Sequence, residues 1–318
     1  MMPLFRRSRD TAQTLAHSWH ARSVAVGRLC AELRLPRGAA RQRGSQVLFP
    51  ELGFQAPLWA AERLLRGYKL LRELKRAFPD SFRLHLDSDR VLLAAAGITL
   101  NVRTWGDIDV MHEILVRELY RFQLARPCVV WDVGMNVGMA SLYFASMPEV
   151  AAVHAYELFG PTAEQARANF ALNQQVAPKI TSFPCGIGAR SEILELPYHE
   201  DIKGVVGLQG PMITTDAALR RERVEVMPAA EALNRLRLAY PTLPIVLKMD
   251  CEGAEGDIFD TLAAENRLHE LTLILMEWHG PGMRLRLEAL LARHGFVSTS
   301  QPFPGGQVGA LTAFRSTV

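Results

Sequence analysis

The chain has no apolar run of the ~18 residues that a membrane span needs. Its opening, MMPLFRRSRD, is basic, yet no apolar core of the ~7–15 residues typical of a secretory signal follows. Both absences point to a cytoplasmic protein with no transmembrane segment. Cysteine is scarce: four in 318 residues, Cys30, Cys128, Cys185 and Cys251. None falls in a C-x-x-C pair, which argues against a zinc site built on thiolates. They read as small buried thiols of a reducing compartment. No internal repeat or low-complexity tract occurs. Two nucleotide fingerprints are missing as well. A G-x-G-x-x-G dinucleotide loop beginning at Gly134 would need glycines where Asn136 and Met139 stand, and no G-K-[ST] phosphate loop occurs.

Apolar residues make up 49% of the chain, enough for a substantial core. The net charge of +3 is unevenly spread: residues 1–43 carry nine arginines against two acids, and the rest is slightly acidic. Such a tail suits a partner, an anionic lipid face or nucleic acid, or is a solvated terminus.

Apolar spacing divides the chain in three. Residues 1–80 read as a basic, helical extension, with one helix over 11–35 broken at Pro36 and another over 58–78. Residues 81–106 read as a small β ribbon built from Phe82–Leu86, Val91–Ala95 and Ile98–Thr104. Residues 107–318 read as one α/β domain, opening with a helix capped by Asp107 and running to Phe122. Within it, strands at 128–131, 150–156, 180–184, 245–249 and 271–276 alternate with helices at 138–147, 161–173, 228–239, 254–265 and 283–294. A hairpin at 296–299 and 310–315 closes the chain, and 192–226 reads as a hairpin and loop insertion. Alternation of this kind means a mostly parallel sheet covered on both faces, with an antiparallel closing hairpin. Ligands of such sheets sit beyond the carboxyl ends of the strands. Asp132, Glu157, Cys185, Asp250 and Glu277 each follow a strand at that rim.

Gly134 and Gly138 let the backbone turn tightly and approach a ligand. The helix beginning there offers free N–H groups to a carboxylate. Asp132 and Asn136 can bond an ammonium, and Glu157 can accept from both hydroxyls of a ribose. The Cys185–Gly186–Ile187 turn and Leu158 can flank an adenine. A carboxylate, an ammonium and an adenosine together describe S-adenosylmethionine.

The run Val130-Trp-Asp-Val-Gly-Met-Asn-Val-Gly-Met-Ala-Ser-Leu-Tyr-Phe144 resembles the first motif of FkbM-type methyltransferases. Tyr156-Glu157, Lys248-Met-Asp-Cys-Glu-Gly-Ala-Glu255 and the Gly106–Tyr120 segment resemble further parts of that family. The likeness covers about residues 97–315. Met135 stands where the family commonly has Ala, and Leu158 where it usually has Pro. The resemblance implies a Rossmann-like class I S-adenosylmethionine-dependent methyltransferase. Its typical reaction is O-methylation of a hydroxyl on a sugar, glycoconjugate, polyketide or related metabolite.

Methyl transfer to a hydroxyl needs an aligned nucleophile and a base. Asp250 is the first choice beside the methyl group. His279, with a reference pKa of ~6.5, is the better intrinsic base near neutrality. Lys248 can pair with a carboxylate or hold the acceptor, and Glu277 shares parity with His279. Glu252, Glu255 and Glu113 are candidate acceptor contacts. A helix dipole alone also favours acids at positions such as 250, 252 and 255. Carboxylates with one histidine suit Mg or Mn, but nothing in the spacing demands a metal, and no ligand set is assigned. The expected partner is a small-molecule or glycan acceptor, with a homodimer through the N-terminal extension possible. A catalytically silent cofactor- or partner-binding module is the alternative. A nucleic-acid methyltransferase fits less well, because the body is mildly acidic and lacks an aromatic-proline motif for flipped bases.

Overall fold

The computed structural model describes residues 25–204, 206–208, 210–211 and 219–315. The first part of the helix expected over 11–35, most of the basic tail and part of the 199–215 loop lie outside the described residues. The chain forms two compact units, residues 3–119 and residues 120–318 apart from the first two residues. The junction falls between Leu119 and Tyr120.

In the first unit, helix α1 (Ala25–Glu32) is followed by strands β1 (Arg41–Arg43), β2 (Gln46–Phe49) and β3 (Phe54–Pro57). They pair antiparallel as a three-stranded sheet in sequence order. This sheet lies between the two helices expected in residues 1–80, where no strand was expected. Val47, Phe49, Phe54 and Ala56 alternate into the core with the period of a strand. Arg41 and Arg43, read as part of the basic extension, suit an exposed edge. The helix expected over 58–78 is two helices, α2 (Leu58–Arg66) and α3 (Tyr68–Ala77). The break falls at Gly67, where a Cβ would come within 2.5 Å of the Ile108 side chain.

The ribbon β4 (Arg83–Asp87), β5 (Arg90–Ala95) and β6 (Ile98–Asn101) pairs antiparallel, and α4 (Trp105–Leu115) follows. Thr104, not Asp107, is the N-cap of α4, and Asp107 completes a capping box. Its Oδ2 accepts from Thr104 N at 2.9 Å and Arg103 N at 2.7 Å. The helix stops at Leu115, well short of Phe122, and Glu118 turns left-handed with φ 54°.

The second unit holds β7 (Cys128–Val133), α5 (Met139–Ser146), β8 (Val150–Tyr156), α6 (Gly160–Ala171) and β9 (Ile180–Phe183). An insertion follows: β10 (Gly186–Gly188), β11 (Glu192–Tyr198), the short β12 (Val206–Gly207) and β13 (Gly210–Pro211), and β14 (Arg220–Pro228). The chain then runs through α7 (Ala229–Ala239), β15 (Ile245–Met249), α8 (Glu255–Ala264), β16 (Leu271–His279), α9 (Pro281–Arg293), β17 (Phe296–Pro302) and β18 (Val308–Arg315). The main sheet has seven strands in the order β17-β18-β16-β15-β7-β8-β9. β16, β15, β7, β8 and the edge strand β9 run parallel, and the β17–β18 hairpin closes the sheet antiparallel. This is a Rossmann-like, mostly parallel α/β sheet with an antiparallel closing hairpin.

Every residue of β7 and of β15 is buried, as a strand covered by helices on both faces requires. Trp131, Leu247, Ile258, Phe259, Ile274 and Leu291 belong to one continuous core between these layers. Strand order reverses between β7 and β15, so the crevice beyond their carboxyl ends is where ligands of such sheets bind. Among the described residues, no helix is long and apolar enough to cross a membrane.

Candidate active site

At the end of β7 the backbone leaves the sheet through Gly134 (φ 77°), Asn136 (φ 49°) and Gly138 (φ 82°). All three lie in the left-handed region, which costs a side chain dearly except at Asn or Gly. Gly134 also has no room: a Cβ there would stand 1.8 Å from the Asp250 carbonyl oxygen. A Cβ on Gly138 would meet the Phe170 ring at 2.5 Å. The turn is held from outside as well. Asn169 Nδ2 on α6 donates to Val137 O at 2.8 Å, a tie with no local sequence signal.

Asp132 does not open into the crevice. It is fully buried; Ser141 Oγ donates to its Oδ2 at 2.6 Å, and Lys248 Nζ lies 3.2 Å from its Oδ1. Lys248 is likewise buried and donates to Gly134 O at 2.6 Å and Val133 O at 3.4 Å. Burial alone would push its ammonium down, but Asp132, Asp250 and Glu277 raise it overall, so it stays charged. The Tyr120 ring covers the ammonium at 5.4 Å, and Tyr120 Oη donates to Glu277 Oε1 at 3.4 Å. These contacts make Lys248 a brace for the glycine turn. Neither Tyr120 nor Ser141 was singled out as part of that brace from sequence.

Glu157 follows β8. Its Oε2 accepts from Asn136 N and its Oε1 from Phe159 N, each at 3.0 Å. Burial pushes its carboxyl up to about 7, against the pull of those two N–H groups and of Lys248. Each oxygen keeps lone pairs for further donors. The Asn136 Oδ1 nearby is buried with no hydrogen-bond partner among the described residues. A cradle that excludes a Cβ, an orphaned amide oxygen and an acceptor carboxylate fit a ligand with an ammonium and a ribose. On β10, Gly186 lies against Leu158, whose Cδ1 is 2.6 Å from where a Cβ would be. Cys185 and Ile187 belong to the main core, so Leu158 is the more open of the residues expected to flank an adenine.

Beyond β15 the chain makes a second sharp turn, with Glu252 at φ 56° and Gly253 at φ 104°. It brings Asp250, Glu252 and Glu255 to His279, the last residue of β16. Glu255 Oε1 lies 3.0 Å from His279 Nδ1, and Glu252 Oε2 lies 3.3 Å from His279 Nε2. Glu255 is fully buried at the start of α8. Burial acts to raise its pKa, but the His279 bond and charge outweigh it and hold the carboxyl below its usual range. Burial acts to lower the His279 pKa, yet the three carboxylates push it up to about 9. His279 therefore carries its proton at neutral pH, unlike a free imidazole. Glu252 is pushed up to about 8 and Asp250 is also raised, each chiefly by burial and then by neighbouring acids.

The insertion reaches this turn. β11 and β14 pair antiparallel, and β10 joins β14 in parallel. A Cβ on Gly207 would stand 2.2 Å from Glu252 O and 2.8 Å from Cys251 O. Lys203, also buried, donates to Gln165 Oε1 at 2.8 Å. The expected substrate loop is thus seated on the Cys251–Glu252 backbone at its described tip. Glu113 belongs to the first unit, where it pairs with Arg117 at 3.1 Å.

No family model matches the chain. The methyltransferase sdnD of Sordaria araneosa is 25% identical over 197 residues, covering 55% of this chain and 75% of that protein. Among solved structures, methyltransferase FkbM from Methylobacillus flagellatus KT is similar at 13% identity and a TM-score of 0.42. That match covers 80% of this chain and 60% of that one. Sp1610 of Streptococcus pneumoniae, solved with S-adenosyl-L-methionine, is similar at 12% identity and a TM-score of 0.37, over 61% of this chain and 68% of that one.

Proposed function

We propose that this chain is an S-adenosylmethionine-dependent methyltransferase acting on a hydroxyl oxygen of a small-molecule or glycan acceptor. The observation that carries the reading is the joining of two features at the switch point of the sheet. One is the Gly134–Gly138 turn with Glu157, and the other is the Asp250–Glu252–Glu255–His279 cluster. The identity with a curated methyltransferase supports it.

In this reading, Glu157 accepts the ribose hydroxyls and Leu158 covers one face of the adenine. The N–H groups that open α5 receive the carboxylate, and Asn136 Oδ1 accepts from the ammonium. Asp132 and Lys248 act one layer below, by fixing the turn. Bound there, S-adenosylmethionine supplies a methyl group on a sulfonium sulfur that leaves as a neutral thioether. Asp250 takes the hydroxyl proton as the O–CH3 bond forms and the S–CH3 bond breaks. Its raised proton affinity makes it a stronger base than an ordinary carboxylate. His279, already protonated and clamped by Glu255, orients Glu252 and the acceptor instead of serving as the free base. The Gly207 tip and the remainder of the insertion set acceptor specificity.

The test is incubation with methyl-labelled donor and cell extract. A labelled product that disappears with Asp250→Asn, in a chain that still binds the donor, supports the reading. Donor binding without labelled product in any extract counts against it.

A further inference from the structure

We infer that Asp250, Glu252 and His279 form a binding site for one divalent metal ion, with Glu255 as the residue that orients His279. The ion's role toward the acceptor rests on the methyltransferase reading; the site itself does not.

One ligand atom from each of the three residues lies within 4.8 Å of the other two. Octahedral ions with bonds of about 2.1–2.3 Å place adjacent ligands about 3.0–3.3 Å apart and opposite ones about 4.2–4.6 Å apart. The 3.3 Å between Glu252 Oε2 and His279 Nε2 falls at that adjacent spacing. His279 is the last residue of β16, Asp250 directly follows β15, and Glu252 is held in the turn beyond it.

Glu255 supplies the independent observation. It is fully buried and engages His279 through Nδ1, the nitrogen that faces away from Glu252. A carboxylate behind a histidine fixes its tautomer and ring orientation, the arrangement found behind ligating histidines. Its other oxygen, Oε2, is buried with no hydrogen-bond partner among the described residues. Its Oε1 reaches His279 within the cluster, and its charge acts on both Asp250 and Glu252. The cluster thus gathers three carboxylates around one imidazole. Lys248 Nζ contacts Asp132 and donates to Gly134 O, and its charge also reaches Asp250 and Glu252. A dication in place of the Nε2 proton would add further positive charge among these carboxylates.

Two carboxylates and one imidazole suit Mn2+ and Mg2+ better than soft ions. The ion leaves coordination positions open for an acceptor hydroxyl and lowers its pKa. A vicinal diol, as in a sugar or catechol-like acceptor, fills two such positions. Transfer is otherwise as described above. The hydroxyl proton goes to the uncoordinated oxygen of Asp250, and the methyl passes from sulfur to oxygen.

The probe is Mn2+ added to the full chain and followed by electron paramagnetic resonance. We expect one Mn2+ per chain, with nitrogen modulation of its echo from the His279 imidazole. Binding falls at least tenfold in Glu252→Gln and His279→Ala, and about 10–100-fold in Glu255→Gln. No stoichiometric Mn2+, or bound Mn2+ without nitrogen modulation, overturns the site. So does Mn2+ affinity that is unchanged in the variants. The nitrogen signal is read on the unaltered protein, so a misfolded variant does not decide the outcome. S-adenosylmethionine binding is measured on the same sample. Mn2+ without cofactor binding overturns the methyltransferase reading alone, and cofactor without Mn2+ overturns the metal site alone.

Discussion

Lys248 Nζ donates to the carbonyl oxygen of Gly134 at 2.6 Å, tying the fourth parallel strand to the glycine turn of the first. The same ammonium neutralises buried Asp132 at 3.2 Å. The conformation of the turn therefore depends on a charge pair beneath it.

Lys248→Met leaves Asp132 as an unpaired buried charge. The expected cost is about 3–5 kcal/mol of folding stability, together with loss of cofactor binding. Urea unfolding of the variant checks this. Adding Asp132→Asn recovers a large part of the loss, because the orphaned charge is gone. Equal stability of Lys248→Met and the unaltered chain contradicts the brace.

Gly134→Ala places a Cβ 1.8 Å from Asp250 O at a φ of 77°. Cofactor binding falls below detection by calorimetry, since either the turn or the Asp250 backbone must move. Gly160→Ala, where nothing lies within 4 Å, is the control and leaves binding intact. Matching affinities for the two variants rule out a steric origin.

The readings made from sequence explain why the turn was legible and its brace was not. Val150–Tyr156 and Ile245–Met249 are mostly apolar runs, each with one polar residue (His154, Lys248) and each followed by an acid, and the structure has the same limits. Gly134 and Gly138 announce themselves because few residues tolerate their backbone angles. Lys248 reads only as a charged residue beside others, because its partners lie about 115 positions away. His279 reads as a free imidazole for the same reason; three carboxylates reach it only after folding. The β1–β3 sheet was hidden by charge. Arg41 and Arg43 look like part of the basic extension, and only pairing with β2 makes them an edge strand. The break at Gly67 within the helix expected over 58–78 comes with the packing of Ile108 against it, about 40 positions away.

Glu157 carries a pH dependence with two opposite faces. Its folded pKa, about 7, lies above the ordinary 4.5, so the cofactor-free fold favours the protonated form. That contribution to stability is fully present below pH 4.5 and is lost as pH rises through about 7, on the order of 3 kcal/mol. Cofactor binding needs the ionised form, which accepts the ribose hydroxyls. Affinity should fall about tenfold per unit as pH drops below 7. Calorimetric titrations across pH check the slope, and Glu157→Gln should bind weakly with no slope in this range. A wild-type affinity flat between pH 5.5 and 8 would falsify the assignment.

Asp250→Asn keeps the side-chain volume and removes the base. Turnover with any acceptor found by labelling should fall about 10²–10⁴-fold while cofactor affinity changes little. A variant that retains full turnover moves the base elsewhere in the cluster.

The central claim is that the turn and Glu157 hold S-adenosylmethionine, and direct titration of the purified chain tests it. We predict one molecule bound per chain, abolished by Glu157→Ala in a protein that stays folded by circular dichroism. A folded, unaltered chain that takes up none, or a Glu157→Ala chain that binds as well as the original, contradicts it.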